Sequence, residues 1–101
     1  RTVTKKQRKA VRRALREPGS RAAGWDGVLE KVRTYYAHTD PVCWELLRLR
    51  YMEGMRESAV IRALYIGRTT YYTKELEALS TVAVCAADAG LLPGGQMSGV
   101  F

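Results

Sequence analysis

A small all-α helical bundle that contains a helix-turn-helix and has a long C-terminal helix is the fold this sequence predicts. Three observations carry it. Apolar residues recur at three- and four-residue spacing, no stretch alternates long enough to demand a sheet, and cap or breaker residues cut the chain into helix-sized pieces.

The first helix is expected over residues 4–16, where Val11, Ala14 and Leu15 share a side, and Glu17-Pro18-Gly19-Ser20 stops it. A second begins near Trp25 and Asp26, with Trp25, Val28, Leu29, Val32 and Tyr36 on one side facing a core. Asp40 followed by Pro41 is an N-terminal cap with proline in the first turn, and it opens a third helix expected to run to about Glu53 before Gly54 ends it. A short helix from about Glu57 to Leu64, a connection at Ile66 to Arg68 and a long helix toward Asp88 follow. Ala89-Gly90-Leu91 and Pro93-Gly94-Gly95 close the organised region. Three regions are therefore expected: a basic N-terminal arm or helix at 1–24, a helical domain at 25–92 with the helix-turn-helix at about 57–79, and a short flexible tail at 93–101.

With 101 residues, of which 47% are hydrophobic, the chain suffices for one helical domain and not for a large multidomain enzyme. The net charge of +7 favours an anionic partner. Its distribution says more than its total: the first 24 residues hold nine basic residues against the single acid Glu17, while the remainder is nearly neutral. Clustered cations release counterions when they neutralise a nucleic-acid backbone, so Lys5, Lys6, Arg8, Lys9, Arg12 and Arg13 are candidate phosphate contacts. A solvated helix face is the plainer alternative. No apolar run reaches the roughly 18 to 20 residues that cross a bilayer, and nothing reads as a secretory leader. No membrane partner is expected, and the expected location is the cytoplasm.

Little in the sequence points to catalysis. Cys43 lies near His38, but Asp40-Pro41 intervenes and no oxyanion donor or third group is identified. Cys85 reads as a small hydrophobe on a helix. The two cysteines with one histidine between them suggest neither a disulfide framework nor a four-ligand zinc site, and no phosphate loop or HExxH motif is present. The expectation is a protein that is not an enzyme and takes no cofactor or metal.

The informative object is the helix pair around Gly67. Val60, Ile61 and Leu64 form the inward face of its first helix, Ile66 plugs the connection, and Tyr71 sets its ring against them from the second. This is the logic of a helix-turn-helix, whose second helix projects its first turns into a major groove while the first braces it. Arg68, Thr69, Tyr72 and Thr73 then lie on or near the outer face, as candidate contacts to bases or groove edges. Arginine can pair bidentately with guanine, and threonine can offer a hydroxyl to a base edge or a methyl to thymine. Lys74 is a candidate phosphate contact. Any helical hairpin exposes a face of this kind, so spacing alone leaves a solvated surface open.

Residues 46–79, LLRLRYMEGMRESAVIRALYIGRTTYYTKELEAL, resemble region 4 of bacterial sigma factors, and more closely small phage-encoded transcription regulators of the autolysin-regulator type. The matching residues are Leu49, Arg50, Tyr51, Glu53 and Gly54, then Leu64 and Ile66, then Thr70, Tyr71 and Tyr72, with Ala78 and Leu79 beyond. This chain departs from the pattern at Met55-Arg56, Ile61, Tyr65 and Gly67, where the family commonly has a serine or threonine, a small residue, glycine and serine. The resemblance implies a sequence-specific regulator of phage or prophage transcription that binds double-stranded DNA, sometimes alongside RNA polymerase. Two alternatives stay open: a module that binds RNA polymerase or a sigma-like protein without reading bases, and the DNA-recognition part of a phage packaging protein. The apolar residues from Leu76 to Leu92 leave homodimer and monomer equally open.

Overall fold

A computed structural model describes residues 3–92, so the tail expected at 93–101 lies outside the described residues. Five α-helices and no strand are found among them: α1 (Lys5–Arg16), α2 (Trp25–Thr39), α3 (Pro41–Leu47), α4 (Glu57–Leu64) and α5 (Arg68–Asp88). Each begins for a local reason. Thr4 and Gln7 form a reciprocal capping box on α1, the Thr4 hydroxyl accepting the Gln7 N–H at 3.0 Å and the Gln7 side chain accepting the Thr4 N–H at 3.1 Å. α2 starts after Gly24, whose φ of 103° lies in the left-handed region that favours glycine, with Leu91 packed beside the place a Cβ would fill.

The third helix departs from the sequence expectation. Instead of running on to Glu53, α3 gives way at Leu47 to a π-helical turn over Arg48–Met52, in which the Glu53 N–H reaches back to the Arg48 carbonyl at 2.8 Å. Arg48 staples this turn by pairing with Glu45 at 2.8 Å and Glu53 at 3.2 Å. Widening the helix turns Tyr51 inward, where it is buried. Gly54, at a φ of 76°, then breaks the chain away toward α4.

Two cores result. The larger joins Val11, Ala14 and Leu15 of α1 to Trp25, Val28, Leu29, Val32 and Tyr36 of α2, to Cys43, Leu47 and Tyr51, and to the second half of α5. The apolar stripes expected on α1 and α2 are thus the buried ones. Tyr36 locks α2 to α5 by donating its hydroxyl to Thr81 at 2.8 Å. The smaller core is that of the helix-turn-helix: Leu46, Val60 and Tyr71 are fully buried, with Ile61, Leu64 and Ile66 packed around them. The resulting bundle is 43 Å in its longest dimension, with α5 running through both cores.

Candidate nucleic-acid interface

The turn between α4 and α5 sets the geometry of the outer face. Tyr65 ends α4 in the left-handed region at a φ of 55°, and the N–H groups of Tyr65 and Ile66 close back onto Arg62 and Ile61. Tyr65 holds this left-handed conformation with its side chain 94% exposed. Gly67 is extended, and its carbonyl accepts the Tyr71 N–H at 2.9 Å, starting α5 without a side-chain cap.

Arg68, Thr69, Thr70, Tyr72 and Thr73 are all exposed on the first turns of α5, while Tyr71 is completely buried. Arg68, Thr69, Tyr72 and Thr73 follow the i, i+1, i+4, i+5 spacing of a single helix face. The four residues singled out as readers therefore share one exposed surface. Tyr72 has a further tie: its hydroxyl donates to Glu57 at 2.8 Å and so bridges the first turn of α5 to the first turn of α4. Its ring also meets Tyr71 edge-on at 5.2 Å.

The acids and bases divide in an informative way. Glu57, Glu75 and Glu77 accept hydrogen bonds from tyrosine hydroxyls, namely Tyr72, the pair Tyr51 and Tyr71, and Tyr36. Cations elsewhere are paired with carboxylates: Arg21 with Asp26, Arg33 with Glu30, Arg48 with Glu45 and Glu53, and Lys74 with Asp40. Among the described residues, the cations without a carboxylate partner are Lys5, Lys6, Arg8, Lys9, Arg12 and Arg16 on α1, Arg50, Arg56, Arg62 and Arg68 around the helix-turn-helix, and Lys31 on α2. Apart from Lys31, the cations of the described residues that no carboxylate pairs lie on α1, on the π-helical turn and around the helix-turn-helix.

Two of the candidate phosphate contacts are already engaged. Arg13 lies 3.4 Å from Glu17, one helical turn on, with both side chains mostly exposed. Lys74 is held by Asp40, which also accepts the Cys43 thiol at 3.5 Å. The Lys74 ammonium holds the Asp40 carboxyl below the usual carboxylate range, and Asp40 in turn raises Lys74. Burial, reinforced by Asp40, pushes the Cys43 thiol up to about 12, so it stays protonated at neutral pH.

α1 is docked onto the helix-turn-helix through Tyr51. Arg12 donates its Nε–H to the Tyr51 hydroxyl at 3.2 Å, and that hydroxyl donates to Glu75 of α5 at 2.6 Å. Burial, and then the Glu75 carboxylate, push the Tyr51 phenol up to about 12, so it stays a neutral donor throughout the physiological range. Tyr51 and Glu75 were not singled out from sequence. Tyr51 stood in the LRY stretch, but its partners are 39 and 24 residues away, and only the π-turn brings them together.

No group of three or more His, Cys, Asp or Glu among the described residues is arranged to hold a metal ion, and none of the helices is long and apolar enough to cross a membrane. Comparison of the chain with protein-family models, with curated proteins and with solved structures finds no match.

Proposed function

We propose that this protein is a regulator of transcription, encoded by a phage or prophage, that binds double-stranded DNA sequence-specifically through the start of α5. The observation that carries the reading is the sorting of charge: cations lacking a carboxylate gather on α1 and the helix-turn-helix, around an exposed face that holds Arg68, Thr69, Tyr72 and Thr73. In this reading the α5 face enters a major groove, Arg68 and the threonines contact base edges, and the α1 cations neutralise flanking phosphates. Lys5, Lys6 and Lys9 are exposed, Arg8 and Arg12 offer the N–H groups not given to the Val3 carbonyl and the Tyr51 hydroxyl, and Lys74 and Arg13 share their charge with Asp40 and Glu17.

Selection from a random duplex library at near-physiological salt tests the proposal, because backbone attraction is screened there while base contacts persist. Enrichment of one motif is expected, and two symmetric copies of it identify a homodimer. A second reading is docking of the same hairpin to RNA polymerase or a sigma-like protein, with Leu76 of α5, which is 53% exposed, adding an open groove that it lines with Val3, Arg8, Val84 and Cys85 on the α1 side. Capture of polymerase without DNA, combined with no enriched motif, favours that reading.

A further inference from the structure

Tyr51 gathers three guanidiniums that no carboxylate pairs. Arg12 donates to its hydroxyl, Arg16 places Cζ 5.0 Å from its ring centroid, and Arg50 places Cζ 5.5 Å from the same point. The acid at this cluster is Glu75, whose Oε2 accepts both the Tyr51 and Tyr71 hydroxyls. It offsets one positive charge of three. The aromatic face attracts the cations but does not neutralise them.

The hydrogen bonding is incomplete as well. Arg50 donates one terminal nitrogen to the Met55 carbonyl at 3.1 Å, while its Nε is buried without a partner. Arg16 is exposed and makes no hydrogen bond among the described residues. Guanidinium forks match the oxygens of a phosphate, and the exposed Arg16 together with the remaining N–H groups of Arg12 and Arg50 supplies such donors at a net-positive cluster.

We propose that Arg12, Arg16 and Arg50 form a phosphate site assembled on Tyr51, which takes a backbone phosphate of the duplex beside the groove that α5 enters. The proposal rests on the duplex-binding reading above and extends it to Arg16 and Arg50. Its placement suits that duplex. Glu75, which holds Tyr51, is seven residues beyond Arg68, or about 10 Å along α5, so the cluster stands two helical turns behind the exposed face. Arg16 also continues the side of α1 that carries Lys5, Lys9 and Arg12, at i, i+4, i+7 and i+11, so the site ends a cationic ridge.

The test is the slope of log Kd against log salt for the full chain and a fluorescent duplex. Arg16→Gln is expected to lower the slope by about one, and Arg50→Gln by about one. Arg50→Lys retains the charge and hence the slope. Lys31→Gln, at a cation of α2 that lines a cavity with Cys85 and Ala89 at the far end of α5, leaves the slope unchanged. Because Arg16 is exposed, its variant keeps the fold, and thermal unfolding checks the Arg50 variants. Duplex binding whose slope Arg16→Gln does not move, or which Lys31→Gln lowers equally, overturns the phosphate site alone. A wild-type chain without salt-dependent duplex binding overturns the duplex reading and this site with it.

Discussion

α5 is two structures in one helix. In its first half only Tyr71 is buried, whereas from Ala78 onward Ala78, Leu79, Val82, Ala83, Ala86 and Ala87 are all packed into the larger core. Small residues let α1 and α2 close around the second half, and the first half, free of that packing, carries arginine, threonine and tyrosine outward. The difference shows how a chain of this size holds an exposed polar helix face in a fixed direction. A helix of 21 residues spans about 30 Å, and its exposed half is held by the core at its far end together with Tyr71 in the smaller core and the side-chain bonds of Tyr72, Lys74 and Glu75.

The largest expected effect breaks the anchored half. Leu79→Ala removes a fully buried side chain and should cost about 3 kcal/mol of stability by urea unfolding. Leu76→Ala, one turn earlier and half-exposed, should stay within about 0.5 kcal/mol. Arg68→Ala makes the complementary change, leaving stability unaltered and weakening a selected duplex by about 2 kcal/mol relative to a scrambled one in a binding titration.

Much of this division was legible in sequence. Helical spacing placed the apolar faces of α1 and α2, and the pairing of Val60 and Tyr71 around a turn at Gly67 located the helix-turn-helix. The π-turn was not legible, because Arg48–Met52 contains no breaker and its widening depends on Tyr51 finding Arg12 and Glu75. The division of cations was hidden for a similar reason: Lys74 and Asp40 are 34 residues apart, and Tyr72 and Glu57 are 15 apart. Composition gives the charge, but only the fold decides which charges are compensated.

Smaller effects sharpen the picture at the junctions. Tyr65→Gly relieves a left-handed tyrosine and should raise stability by about 1 kcal/mol in urea unfolding, since nothing else in the turn requires the side chain. The smallest effect is expected at Lys74, where α5 passes from its exposed half to its buried half. Lys74→Met should cost about 0.5 kcal/mol at neutral pH. Asp40 is depressed in the fold, so the pair contributes fully above the ordinary carboxylate range and its contribution is lost as pH falls from that range down through the depressed Asp40 pKa. Lys74 is raised, so the contribution persists until pH exceeds the ordinary lysine range. Wild type and Lys74→Met should therefore converge in stability only once pH lies below the ordinary carboxylate range and Asp40 is protonated in the fold.

The most direct measurement of the central claim is a nuclear magnetic resonance titration of the labelled chain with a selected duplex at near-physiological salt. Amide shifts should concentrate at Arg68 through Thr73 and along Lys5 to Arg16, with Ala83, Ala86 and Lys31 unmoved. Shifts centred on α2, or spread evenly over both halves of α5, would contradict the assignment of the exposed half as the nucleic-acid face.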